Sequence, residues 1–230
     1  MDEMKPRVSV LICALNEAKN MPYVLPKIPA WVHEVLLVDG YSKDNTTKLA
    51  KEIRPDIRIV QQQGKGKGDA LRCGIKQATG DFIIALDCDG SMDPGEIPRF
   101  IEPLLKGFDY AKGSRFLPGG GTTDMPAIRK FGNRVFIFLV NTLFKTKYTD
   151  LCYGYMAFRK TIVCKLPIKC DGFEIETEIN IKARKNNLKV VEVPSFERQR
   201  YFGKGNLHTF RDGWRILSTI IRCKLMKWPQ

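Results

Sequence analysis

The chain of 230 residues has no long hydrophobic run: the longest near its middle, Val135 to Val140, is six residues between Arg134 and Asn141. A helical membrane span needs roughly 20 such residues, so none is expected here. The amino-terminal MDEMKPR has no apolar signal core, and the expectation is a cytoplasmic chain. Seven cysteines, Cys13, Cys73, Cys88, Cys152, Cys164, Cys170 and Cys223, form an odd, scattered set with no C-x-x-C. That excludes a disulfide framework or a zinc knuckle as the organising principle and fits reduced thiols. Repeats and low-complexity tracts are absent, as are the Walker pattern G-x-x-x-x-G-K-[ST] and the dinucleotide pattern G-x-G-x-x-G, which tells against kinases and dehydrogenases. Acid is in deficit, with 25 Asp and Glu against 38 Lys and Arg, a net charge of +13. Such a surface points to an anionic partner: nucleic acid, an anionic membrane or a phosphorylated substrate.

What is present is a regular alternation. Val8 to Ala14, Glu34 to Val38, Ile57 to Gln61 and Phe82 to Leu86 are short apolar runs with helical stretches between them. Pro22 and Pro26 interrupt the first helix, Asp44 can cap a second over Thr46 to Ile53, and a third starts near Asp69 and ends at Gly80. This pattern implies βαβ units and a mostly parallel α/β sheet. Each run closes on polar residues: Asn16-Glu17, Asp39 with Ser42, the loop Gly64-Lys65-Gly66-Lys67-Gly68, and Asp87 with Asp89. In a parallel sheet these ends share one edge, where ligands bind.

The fourth run, IIALDCDGSMDP, passes directly from apolar residues into two carboxylates. Ionised acids cannot sit mid-strand in a dry interior, so Asp87 and Asp89 belong at its exposed end. Asp, Gly, Ser and Pro together can make a plain turn. Paired acids also suit Mg²⁺ or Mn²⁺, which take one or two carboxylates and complete their shell with water and phosphate. The glycine-lysine loop reads either as a flexible turn or as a phosphate cradle of free backbone N–H groups.

The second half differs. Met125 to Phe144 is apolar nearly all round after Arg129, Lys130 and Arg134, which reads as a core helix. From Arg198 onward there are eight Lys or Arg against one acid, Asp212. Phe210, Trp214, Leu217, Ile221 and Leu225 recur at helical spacing with Arg211, Arg215, Arg222 and Lys224 at the rim. Such a helix packs on the domain or rests on an anionic membrane.

Taken in order, Asn16-Glu17, VDGYSKDNT from Val38, GKGDA from Gly66, ATGDFIIALDCDGS from Ala78 and GSRF from Gly113 resemble family 2 glycosyltransferases of GT-A fold. So do TDLCYGY from Thr149, GFEIETEI from Gly172 and the stretch from Val191 to Leu207, so the likeness covers nearly the whole chain. The group most resembled is the polyprenyl-phosphate hexosyltransferases, that of dolichol-phosphate mannose synthase.

The resemblance implies a GT-A domain over residues 1–208, with a nucleotide-binding half (1–98) and an acceptor half (99–208), followed by a basic amphipathic helix over 209–230. It implies that Leu15, Asn16, Glu17, Asp39, Gly40, Ser42, Gly66, Lys67, Asp87 and Cys88 line the nucleotide-sugar pocket. Asp87 and Asp89 match the D-x-D acids, Asp89 as direct metal ligand and Asp87 nearer ribose and metal-bound water. Arg115, Arg129 and Arg200 match positions that hold donor or acceptor phosphates. Ser91 stands where relatives often have Gln, and Gly205-Asn206 where they have Ser-Lys, leaving Lys204 as the candidate replacement. Asp150 is either a base or acceptor-positioning group, or a helix or turn cap. The implied reaction is inverting transfer of mannose or glucose from a GDP- or UDP-sugar to dolichyl or undecaprenyl phosphate, with the protein held peripherally at the cytoplasmic membrane face. A phosphate acceptor is already an anion and needs no general base, and neither the Glu-Asp pair nor the Q-x-x-R-W segment of sugar-polymerising relatives occurs. Alternatives are a soluble hydroxyl acceptor, or a nucleic-acid-binding module. The latter is disfavoured because the basic residues lie after helices and in loops rather than among sheet-face aromatics.

Overall fold

A computed structural model of the chain describes residues 6–226. The amino-terminal MDEMK and the last four positions of the expected 209–230 helix lie outside the described residues. Along the chain run β1 (Val8–Ala14), α1 (Met21–Val24), β2 (Glu34–Asp39), α2 (Thr46–Ile53), β3 (Arg58–Gln61), α3 (Lys67–Gln77), β4 (Phe82–Asp87), α4 (Ile97–Leu105) and β5 (Tyr110–Ser114). There follow β6 (Gly121–Thr122), α5 (Ala127–Phe144), β7 (Met156–Arg159), α6 (Lys160–Val163), α7 (Ile175–Lys185), β8 (Val190–Pro194), β9 (Phe196–Glu197) and α8 (Thr209–Leu225).

Seven strands form one sheet in the order β3-β2-β1-β4-β7-β5-β8, and β6 pairs with β9 separately. Pairing is parallel except along β7, which runs antiparallel to both β4 and β5. The first four strands are apolar on both faces because helices cover both, as expected of a parallel sheet. Their register sets Ala14 beside Asp39, Cys13 beside Asp87 and Asp39 beside Gln61. All four polar strand ends therefore emerge at one edge.

Two sequence readings are corrected. Helix α3 stops at Gln77, where Ala78 turns extended (ψ 140°). Gly80 is instead a close-packing position, where a Cβ would lie 2.7 Å from the Arg7 carbonyl. More consequentially, α5 is not a core helix: it buries Asn133, Val140 and Phe144, while Ile128, Phe131, Val135 and Phe138 are exposed. Only one side of it meets α7 and α8, and the apolar residues exceed what that contact can cover. Helix α8 is inverted relative to simple amphipathicity. Its buried face is Asp212, Ile216, Thr219, Ile220 and Cys223, whereas Phe210, Trp214, Ile221 and Leu225 face outward.

Candidate active site

The loops after β1 and β2 are locked to each other before any ligand is considered. Asn16, in left-handed backbone (φ 57°), accepts the Lys43 N–H at 2.7 Å, and its own N–H donates to Ser42 Oγ at 2.9 Å. Asp39 accepts the Ser42 N–H at 3.2 Å, and the Gly40 N–H donates to the Ala14 carbonyl at 2.8 Å. Leu15 lies exposed at the rim. These residues make one rigid wall at the end of the sheet.

The glycine-lysine loop is packed rather than open. The Gly64 N–H donates to Asp69 and the Gly68 N–H to the Asp171 carbonyl, both at 2.7 Å. A Cβ on Gly66 (φ 92°) would lie 2.3 Å from that same Asp171 oxygen. The cradle is narrower than expected, because the Gly64 and Gly68 amides already have partners, and the loop also contributes Lys67. Its ammonium reaches Asp87 at 2.8 Å and Glu176 at 2.9 Å. Burial would lower the Lys67 pKa, but the two carboxylates outweigh it and hold the ammonium charged. Burial pushes Glu176 above the ordinary carboxylate range, with Lys67 acting against it.

Asp89 lies opposite. Its Oδ1 accepts the Ser91 N–H at 2.9 Å and its Oδ2 accepts Arg200 Nη2 at 2.7 Å. Burial would raise its pKa, yet these bonds hold it below the usual value. Arg200 also faces Glu17 at 3.7 Å, and burial raises Glu17 despite its bond from Asn20 and the attraction of Arg200. Cys88 between the two acids is buried against Met21, and burial lifts its thiol well above the usual range.

Four carboxylates, Glu17, Asp87, Asp89 and Glu176, therefore share two cations, Lys67 and Arg200, leaving two formal negative charges. Oxygen donors with that surplus fit a hard divalent ion. Among the described residues no cluster of three or more His, Cys, Asp or Glu could hold an ion by itself, so an ion here would need water and phosphate oxygens to complete its shell.

Arg115 and Asp150 lie deeper. Asp150 is fully buried and accepts Arg115 Nε at 2.7 Å, Arg115 Nη2 at 2.9 Å and Asn133 Nδ2 at 2.9 Å. Arg115 Nη1 bonds both Glu197 oxygens at 3.1 Å, and Nη2 also reaches the Cys152 carbonyl at 2.7 Å. Burial would raise Asp150, but Arg115 holds it below the ordinary value. Arg129 donates to the Leu207 carbonyl at 2.9 Å, and Lys204 is exposed in the same segment. Glu176, Glu197, Asn133 and Tyr201 join these networks without any motif that marks them in the sequence. Glu176 lies in GFEIETEI between Glu174 and Glu178, and nothing in that spacing singles it out.

A groove of about 410 Å³ runs between α5 and α8. Its inner wall includes Arg115, Glu197 and Asp124, and its outer wall Phe131, Phe210 and Trp214. Asp124 is close enough to Asp89 and Arg200 to interact electrostatically with both. Through Asp124 the groove lies beside the acidic site, and it opens on the exposed apolar helix faces.

A mostly parallel sheet flanked by helices, with this acidic edge, is the GT-A glycosyltransferase architecture. The profile named Glycosyl transferase family 2 matches residues 9–166, and the chain belongs to that family. Among curated relatives, glycosyltransferase AglJ of Haloferax volcanii is 29% identical over 221 residues, covering 94% of this chain and 71% of its own length. Dolichol-phosphate mannosyltransferase of Pyrococcus furiosus is 32% identical over 232 residues, covering 96% of this chain, which spans only 64% of that relative. Among solved structures, glucosyl-3-phosphoglycerate synthase from Mycobacterium tuberculosis, in complex with Mn²⁺, UDP and glucosyl-3-phosphoglycerate, superposes with a TM-score of 0.74 at 20% identity, over 95% of this chain and 80% of that one. That last likeness is one of fold. No helix of the described residues is long and apolar enough to cross a membrane.

Proposed function

We propose that this glycosyltransferase moves a hexose, mannose or glucose, from a GDP- or UDP-sugar to a polyprenyl phosphate such as dolichyl or undecaprenyl phosphate, inverting the anomeric centre, at the cytoplasmic face of a membrane. The observation that carries the reading is the groove: it sets Arg115, Arg129 and Asp124, beside the acidic site, against an apolar surface made by α5 and α8. A phosphate head and an isoprenoid tail need that combination. The basic rim of Arg211, Arg215, Arg222 and Lys224 suits an anionic surface. The Pyrococcus relative, named for dolichol phosphate, supports the same acceptor class.

In this reading Leu15, Asn16, Glu17, Asp39, Gly40 and Ser42 hold the base and ribose, while Gly66, Lys67, Asp87 and Cys88 line the diphosphate side. Asp87 and Asp89 would hold Mg²⁺ or Mn²⁺, with Asp89 as the direct ligand. When bound, such an ion stabilises the charge gathering on the departing diphosphate. Arg129, Arg200 and Lys204 orient the acceptor phosphate, whose own oxygen attacks without a base. Arg115 and Asp150 act from behind, because the guanidinium faces partners on every side. Ser91 steadies Asp89 through its backbone N–H.

The test is incubation with Mn²⁺, a short polyprenyl phosphate, 3-phosphoglycerate as soluble competitor, and a panel of labelled UDP- and GDP-sugars. Label enters the lipid, and Asp89→Ala removes it by at least about a hundredfold while its circular dichroism spectrum shows that it still folds. Label entering the soluble acceptor alone refutes the acceptor assignment.

A further inference from the structure

Asp89 already has a cation. Arg200 Nη2 stands 2.7 Å from its Oδ2, and the segment that carries Arg200 is clasped across the mouth of the site. The Tyr201 N–H donates to the Asp89 carbonyl at 3.0 Å. The Asn20 side chain accepts the Phe202 N–H at 3.1 Å and donates to its carbonyl at 3.3 Å. Lys27 Nζ donates to Tyr201 Oη at 2.8 Å, and the Tyr23 ring packs on Tyr201 and Phe202 at 5.2 and 5.5 Å. Gly90 (φ 84°) makes room for the Tyr201 ring, since a Cβ there would lie 2.1 Å from it.

A divalent ion and a guanidinium compete for the same carboxylate oxygen, because the charge of each weakens what the other gains from it. The proposed chemistry nevertheless requires Asp89 to face a divalent ion and Arg200 to face the acceptor phosphate. We propose that Arg200 is the resident counter-ion of Asp89. A divalent ion displaces it, so that this arginine becomes available to an acceptor phosphate only once ion and donor diphosphate are in place. The inference rests on the transferase reading above and adds an order of binding to it. It also requires reciprocity: if the ion strengthens phosphate binding, phosphate strengthens ion binding by the same factor.

Asp89 keeps its Ser91 N–H when Arg200 leaves, so the carboxylate stays aimed while its partner changes. The released guanidinium remains tethered through Tyr201 and Phe202, within reach of Asp124, which also feels its charge. It therefore moves toward the groove rather than away from the site.

The experiment is a titration of the full chain with Mn²⁺ alone, free ion followed by electron paramagnetic resonance. Arg200→Gln is expected to bind Mn²⁺ roughly tenfold or more tightly than wild type, the scale of one charge-assisted hydrogen bond. Tyr23→Ala keeps the arginine but loosens its clasp and shifts affinity the same way by a smaller factor. Arg198→Gln, which removes a charge paired with Asp93, stays within about twofold because exposed charges are screened. In a second arm, calorimetry of a short-chain isoprenyl phosphate shows tighter binding to wild type when Mn²⁺ and UDP or GDP are present, and Arg200→Gln loses that gain. Equal Mn²⁺ affinity in wild type, Arg200→Gln and Tyr23→Ala overturns the counter-ion proposal and leaves the transferase reading standing. Wild type that binds no Mn²⁺ with either nucleotide overturns both.

Discussion

Asp150→Asn separates two roles that one buried carboxylate could play. The substitution keeps shape and removes one charge from a fully buried network in which Asp150 accepts two bonds from the Arg115 side chain, one from Asn133, and the backbone N–H groups of Arg115 and Cys152. Arg115, itself only 3% exposed, would retain Glu197 alone as counter-ion. Breaking a buried pair by removing one partner costs about 3–5 kcal/mol, a large share of the roughly 5–15 kcal/mol that holds a domain together. At about 2–4 °C per kcal/mol for a chain of this size, the melting temperature should fall by about 10 °C. Urea unfolding followed by circular dichroism should show a lower midpoint at unchanged slope. Below that transition, turnover should stay within about a hundredfold of wild type, the scale of a slightly displaced scaffold, rather than vanish as with a lost reacting group. A variant with wild-type stability and abolished transfer would refute this reasoning and make Asp150 the base or acceptor-positioning group.

Two further outcomes are expected. Phe210→Ala with Trp214→Ala, at side chains 86% and 71% exposed, should weaken cosedimentation with anionic vesicles more than tenfold, each ring contributing about 1–2 kcal/mol on burial; unchanged binding would remove α8 from the membrane surface. For Glu34, burial would raise the pKa, but bonds from Ser9, Thr79 and Arg58 bring it down to about 2. Its stabilisation is therefore complete above the unfolded value of about 4.3 and lost as pH falls toward 2, worth ~2 kcal/mol after allowing for solvent. Glu34→Gln should unfold more easily than wild type at pH 7 and match it near pH 2, and a pH-independent gap would contradict the assignment.

The alternating half of the chain was legible because its signals are local. Apolar runs such as VSVLICA and FIIAL can only be strands covered on both faces, and a parallel sheet then sends Asn16, Asp39 and Asp87 to one edge whatever the rest does. The ordered motifs carried the family for the same reason. Strand β7, entering antiparallel between β4 and β5, left no comparable mark, since sheet order is set by contacts distant in sequence.

What the sequence determined by itself was the sheet, its polar edge and the pair of acids on it. What only the tertiary structure decided was partnership: that Lys67 meets Glu176 across 109 residues, that Arg200 meets Asp89 across 111, and that the apolar stripes of α5 and α8 face outward. Hydropathy records how much apolar surface a helix carries, while burial depends on how much of it neighbouring elements can cover. Charge pairs likewise form where the folded backbone delivers them, and no spacing along the chain encodes that encounter.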